Sequence, residues 1–151
     1  MSRPSIIPLL KKDHKEVNAL FKEALATSDN AGDKRTQLFS QINEALTLHT
    51  RFEEENVYPL LLEQRKTKED TLEAEEEHAQ IKHLLSDIAE TASDDERWKP
   101  KIMVLAEDVH HHVKEEEKAG GLFEELKKAV DDETLAALAE QFQASKNAAV
   151  S

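Results

Sequence analysis

Cysteine is absent from the 151 residues, and glycine occurs only three times and proline four times. Without cysteine there is no disulfide, no thiolate zinc site and no iron–sulfur cluster, which leaves histidine and carboxylate as the strong metal ligands. The scarcity of helix breakers, the dominance of Ala, Leu, Glu and Lys, and the lack of β-branched alternation predict an all-α fold. No apolar run is long enough to span a bilayer, and the N-terminal stretch Met1 to Pro8 lacks the apolar region and cleavage site of a secretory leader. A cytoplasmic protein without a membrane partner is therefore expected. Basic residues are also few: 20 Lys and Arg against 32 Asp and Glu give a formal charge of −12. That balance repels nucleic acid, so no nucleic-acid partner is expected, and it favours small ions or neutral molecules as partners.

The length suits one domain, residues 1–151, with a core over about 5–128 and an accessory helix over about 131–146. Ser5 is placed to cap a first helix that has Pro8 in its opening turn and an inner stripe of Leu9, Leu10, His14, Val17, Leu20, Phe21 and Leu25. A second helix is predicted from about Asp33 to Gln64, with Leu38, Ile42, Ala45, Leu46, His49, Phe52, Val57 and Leu60 inward and a kink before Pro59. Thr67 to Asp70 reads as the cap of a third helix carrying Ala74, His78, Ile81, Leu85 and Ile88 inward. Ser93-x-x-Glu96 reads as a capping box ahead of a fourth helix, whose stripe is Ile102, Leu105, Val109, His112 and Glu116 and which Gly120-Gly121 ends or interrupts. A shorter segment around Leu135, Leu138 and Phe142 supplies the accessory helix, with fraying expected from Asn147 to Ser151. Short connections between long helices give an antiparallel up-down four-helix bundle.

His49-x-x-x-Glu53 and His112-x-x-x-Glu116 repeat one ligand pair on two apolar stripes. Four residues of helix turn about 400° and rise about 6 Å, so each pair projects a nitrogen and a carboxylate oxygen from one face. His14 and His78 lie on the stripes of the other two helices, and the intervals between the four histidines each match one trip to a helix end and back. Imidazoles from four helices then meet at one height.

Each residue taken alone has a plainer explanation. Glu53 and Glu116 each belong to a run of three glutamates, which is commonly a solvated face, and a lone inward histidine is commonly a hydrogen-bonded core residue. Repetition shifts the weight, because ionised carboxylates on Leu, Ile and Val stripes cost several kcal/mol unless a cation or partner compensates. His110 and His111 are rotated from the stripe by about 200° and 100° and are placed on the surface or around the ligands, and His83 is placed outside. Glu75, Tyr58 and His111 are left open as direct or supporting members of the site. Glu75-x-x-His78 and Glu107-x-x-His110 match a ferritin-like di-metal spacing, but Glu107 and His110 miss the stripe and His14 and His49 would lack a role.

The order His, His-x-x-x-Glu, His, His-x-x-x-Glu, with Asp13-His14 at its start and Glu53-Glu54-Glu55-Asn56-Val57-Tyr58-Pro59 after His49, resembles the hemerythrin-like (HHE cation-binding) domain family over about Leu9 to Leu126. The resemblance implies a non-heme centre of two iron ions held by His14, His49, Glu53, His78, His112 and Glu116, with the two glutamates bridging. Manganese or zinc suits the same donors. Where the oxygen-carrying members have a further histidine four residues after His78, this chain has Lys82, and two residues are gained around Ala119 to Gly121.

One imidazole fewer leaves a position open, which favours chemistry over reversible carriage. The expected function is reaction with H2O2 or O2, catalase-like or protective against oxidative stress. An O2 or NO binding or sensing module, and iron storage or delivery, are the alternatives, with a metal-free scaffold as the plainest one.

Overall fold

The structure, a computed structural model, describes residues 4–150. Helices α1 (Ile6–Leu25), α2 (Gly32–Phe52), α3 (Tyr58–Leu62), α4 (Lys68–Ala89), α5 (Trp98–Glu117), α6 (Leu122–Ala129) and α7 (Asp132–Val150) follow in order, with a π-helical turn, Glu53–Val57, between α2 and α3. Among the described residues there is no strand. The all-α expectation holds. Met1, Ser2, Arg3 and Ser151, on which parts of the leader and fraying readings fall, lie outside the described residues, and α7 runs to Val150.

Helix α1 packs on α2 and α5, and α4 packs on α5 and α2, so these four close a ring. The core shows their antiparallel sense directly. One apolar cluster joins the C-terminal half of α1 (Val17, Phe21, Ala24) to the N-terminal half of α2 (Leu38, Ile42), the C-terminal half of α4 (Ile81, Leu85, Ile88) and the N-terminal half of α5 (Trp98, Ile102, Leu105). A second joins Ile6 and Leu10 of α1 to Phe52, Tyr58, Ala74, Leu122, Phe123 and, from α7, Leu138 and Phe142. The histidine layer lies between the two clusters, so both ends of the bundle are sealed by packed side chains.

At the first cluster's end, buried Arg35 donates to Thr27 Oγ1 at 2.9 Å and to the Ser93 carbonyl at 2.8 Å, and stacks 4.6 Å from the Trp98 ring. The guanidinium ties two loops together while satisfying most of its own donors.

Local signals differ in how they are used. Ser5 caps α1 as expected, accepting from the Ile7 N–H. The Ser93-x-x-Glu96 capping box does not form. Instead α5 starts at Trp98 behind Arg97, without a side-chain cap, because a turn from Asp94 to Arg97 intervenes and Asp95 takes the Arg97 N–H. Thr67 precedes α4, but its hydroxyl turns back to the Leu61 carbonyl at 2.6 Å.

The kink expected before Pro59 is the π turn. The Tyr58 N–H reaches back five residues to the Glu53 carbonyl, and Pro59, which has no N–H to donate, sits in the opening turn of α3. Widening the helix by one residue shifts the phase beyond it, so Tyr58 and Leu61 become buried while Leu60 is only half-buried.

The last bundle helix ends at Glu117, just before Gly120-Gly121, and α6, not foreseen as a separate element, begins after the pair at Leu122. Gly120 has φ +76°, and a Cβ on Gly121 would meet the Glu115, Glu116 and Lys118 carbonyls at 2.4, 2.8 and 2.9 Å. Only glycine allows α6 to turn this tightly beneath the Glu116 backbone. Gly121→Ala should therefore lower stability by roughly 2 kcal/mol, read as the midpoint of urea unfolding. An unchanged midpoint would show that the turn can relax.

Candidate metal centre

Each bundle helix delivers a histidine to one layer. His49 comes from the last turn of α2 and Glu53 opens the π turn, so the pair remains on one face. His112 and Glu116 come from the end of α5, His14 from α1 and His78 from α4. Glu53 and His78 are fully buried, Glu116 is 1 % exposed, and His49 and His112 are buried. His14 is half-buried as a residue, with only 8 % of its side chain exposed.

The six residues meet as two groups that share a member. Glu53, His78, His112 and Glu116 offer ligand atoms within 4.8 Å of one another, and so do His14, His49 and Glu116. Glu116 divides its oxygens between them: Oε1 lies 3.4 Å from His14 Nε2 and Oε2 lies 3.4 Å from His112 Nε2. Glu53 Oε1 is 3.3 Å from both His49 Nε2 and His78 Nε2. Each carboxylate thus faces imidazoles of both groups.

Four further carboxylates fix the imidazoles from behind. His14 Nδ1 faces Glu117 at 2.6 Å, His49 Nδ1 faces Asp13 at 3.0 Å, His78 Nδ1 faces Glu54 at 3.1 Å, and His112 Nδ1 faces Glu77 at 2.7 Å. A carboxylate accepts, so Nδ1 must donate, and in the neutral ring that leaves the Nε2 lone pair pointing inward. This is the tautomer a cation requires. His78 Nε2 and His112 Nε2 lie 3.0 Å apart. Two lone pairs at that distance repel unless a proton or cation intervenes, and two nitrogens each about 2.1 Å from one ion at right angles would be about 3.0 Å apart. Buried His14 Nε2, His49 Nε2, Glu53 Oε2 and Glu116 Oε1 have no hydrogen-bond partner, although buried polar atoms are nearly always paired. The donor set fits metal cations.

The supporting carboxylates were poorly visible in the sequence. In the sequence Asp13 stands out only as the neighbour of His14, Glu54 and Glu117 sit inside acidic runs, and it is Glu77, not Glu75, that bonds a histidine. The available signal was position: Glu77 and Asp13 lie where one helix can reach behind a neighbour's imidazole. His111 sits 3.5 Å from Glu77 and is exposed, while His83 and His110 are exposed.

Tyr58 is resolved as a central member. Its hydroxyl donates toward Glu116 Oε2 at 2.8 Å and lies 3.1 Å from His78 Nε2, 3.3 Å from His112 Nε2 and 3.4 Å from Glu53 Oε1. On a regular helix, a residue five past Glu53 would point about 140° away from it, so the π turn aligns the two. Burial, with Glu116 and Glu53 adding to it, pushes the phenol well above its usual range and keeps it protonated.

Without metal, protons take the cation's role. Burial alone would pull His49 down, but Glu53, the hydrogen bond to Asp13 and Glu116 outweigh it and hold the imidazole up at about 10. Burial likewise opposes charge on His112, and Glu116, Glu53 and Glu77 raise it well above 6.5. Burial would raise Glu53, yet His49, His112 and His78 hold it well below 4.5.

A raised histidine stabilises the fold below its unfolded value and loses that contribution as pH climbs through the folded one. Chelator-treated protein should therefore lose stability between 6.5 and about 10, the interval of His49. Metal-loaded protein should show the opposite slope as protons compete for the same nitrogens at low pH. Urea midpoints against pH for both forms test this. Parallel profiles would contradict it.

The family model of the hemerythrin HHE cation binding domain matches residues 5–119. A crystal structure of a hemerythrin HHE cation binding domain-containing protein from Mycobacterium kansasii superposes with a TM-score of 0.80 at 22 % identity, covering 97 % of this chain and 87 % of that one. A protein from Nostoc sp. (strain PCC 7120) named DNA nickase is 31 % identical over 143 residues, which is 95 % of this chain but 39 % of the relative. The chain thus spans well under half of that relative's length. With its bundle matching the structure of one HHE protein and its sequence matching the family model from α1 through α5, the chain belongs to the hemerythrin HHE cation-binding domain family.

Proposed function

We propose that His14, His49, Glu53, His78, His112 and Glu116 hold two iron ions and that the protein reacts with H2O2 or O2, catalase-like or protective. The observation that carries this reading is the pair of shared carboxylates, Glu53 and Glu116, each facing imidazoles of both groups. Two irons, when bound, supply two-electron redox capacity toward such small oxidants. Manganese and zinc suit the same donors, but zinc lacks the redox step.

The chain's own residues divide the remaining work. Asp13, Glu54, Glu77 and Glu117 hold the Nδ1 protons and so keep the four Nε2 atoms turned inward. Phe123 stacks on the His14 ring, and Phe142 covers His49 edge-on, which excludes water from that side. Tyr58 holds a proton at its hydroxyl oxygen, between Glu116 Oε2 and the His78 and His112 nitrogens. It is the one neutral donor placed to pass a proton to a molecule arriving there.

Elemental analysis of protein expressed with iron should give about two irons per chain, with oxygen release on adding peroxide. His49→Ala and Glu116→Ala should abolish both. Tyr58→Phe should keep the iron and slow release by on the order of a hundredfold. Full iron loading with stable ligand spectra and no turnover would favour an O2 or NO binding or sensing module, and a load far above two would favour storage or delivery.

We also propose a cytoplasmic protein that does not engage nucleic acid. The −12 charge repels phosphate backbones, and no described helix is long and apolar enough to cross a membrane. Supercoiled plasmid incubated with the protein and Mn2+, without peroxide or reductant, should stay intact. Relaxation of the plasmid would transfer the activity named for the Nostoc relative to this chain.

A further inference from the structure

Two cavities reach the histidine layer, one on each side of α5, and they differ in chemistry. One, about 200 Å3, lies between α1 and α5 with walls of Phe21, Val109 and Val113, and His14, Glu117 and exposed Lys15 also line it. The other, about 50 Å3, lies between the start of α4, the end of α5 and the glycine turn, and is lined by Asp70, Glu73, Glu77 and Glu115 together with buried His112 and Glu116. Such a volume has room for a few water molecules.

We propose that the smaller, acidic cavity is the loading site through which a hydrated divalent cation reaches the buried donors, with Lys118 as its displaceable plug. The inference rests on the reading of the His/Glu layer as a metal centre, and three observations carry it.

First, the acidic mouth continues inward to an unsatisfied donor. Glu116, 1 % exposed, lines the cavity and keeps a buried oxygen without a hydrogen-bond partner. Between the mouth and that donor stands Glu77, whose Oε1 bonds His112 Nδ1 at 2.7 Å and which also lines the cavity. Exposed carboxylates and buried candidate donors thus line one cavity, with oxygens of the kind a hard cation losing its water takes.

Second, a cation already occupies the mouth. The Lys118 ammonium donates to Glu115 at 2.6 Å and lies within electrostatic reach of Asp70 and Glu73, on a side chain that is 51 % exposed. An exposed single-charge pair of this kind is weak, and a divalent ion with the same carboxylates outcompetes it. Third, Gly120 lines the cavity and a Cβ built on it would have nothing within 4 Å, so nothing crowds that edge. The α1–α5 cavity sets a single carboxylate, Glu117, against Lys15 among largely apolar walls, which makes it the weaker route for a hydrated cation.

Stopped-flow uptake of Co2+ by chelator-treated full-length protein, followed by visible absorption, tests the route. The double variant Asp70→Asn, Glu73→Gln should load on the order of tenfold more slowly at low salt, with the difference shrinking at high salt. Lys118→Met should load faster than the unaltered protein. Final cobalt content and circular dichroism should match in all three, since the altered side chains are exposed and none is a proposed ligand. Equal rates at full loading would overturn the route alone, as would a larger acceleration from Lys15→Glu in the α1–α5 cavity. Failure of the unaltered protein to take up cobalt would overturn the metal-centre reading and the route with it.

Discussion

Two carboxylates buried between two hydrophobic clusters are the constraint on which the rest of this molecule depends. Glu53 and Glu116 have essentially no contact with solvent, and a bare buried carboxylate is among the costliest groups a core can contain. Four imidazoles surround the pair. In the neutral tautomer dictated by the carboxylates behind them, they present lone pairs rather than protons, so they solve the problem only when a cation stands between them and the glutamates. Protonation is the substitute available to the empty protein. Metal affinity, histidine basicity and fold stability are therefore one coupled quantity.

The backbone departs from regular helix where this layer needs it. A continuous α2 would have sent Tyr58 away from Glu53, whereas the π turn places the phenol among four ligand atoms. The glycine turn does the corresponding work after Glu116, letting α6 bring Leu122 and Phe123 back over the site, where Phe123 stacks 5.6 Å from the His14 ring. Both irregularities directly follow or contain one of the two buried glutamates, Glu53 and Glu116. The bundle supplies parallel stripes, and the departures supply convergence.

Periodicity made much of this legible before any coordinates. The inner stripes of α4 and α5 are buried residue for residue, and the six candidate donors converge because an up-down bundle returns the chain to the same height at each pass. What escaped was everything set by a shift of one residue or by contact between helices. Tyr58 was ambiguous because a π turn leaves no propensity signal, only Pro59 nearby. Asp13, Glu54, Glu77 and Glu117 were indistinguishable from the solvated glutamates around them, since their role depends on a neighbouring helix's imidazole. The Ser93-x-x-Glu96 motif misled for the converse reason: its local chemistry was sound, but the chain spends those residues in a turn before Trp98 is buried.

The position of Lys82 bears on what kind of chemistry the layer can support. It stands one turn beyond His78, where an oxygen-carrying relative would have another imidazole, and its ammonium points outward to Glu54 at 2.7 Å. Glu54 in turn holds His78 Nδ1, so the lysine reinforces the carboxylate behind a ligand instead of adding a ligand. The space beside His78 and His112 is occupied by the Tyr58 hydroxyl, a proton donor, whereas the His14 and His49 half is walled by Phe123 and Phe142. The two halves are thus unequal: one has a proton at hand and the other an apolar cover. Breaking an oxygen–oxygen bond needs a proton donor, because the departing oxygen must be protonated as charge builds on it. The Tyr58 side is where the proposed reaction with H2O2 or O2 would find one.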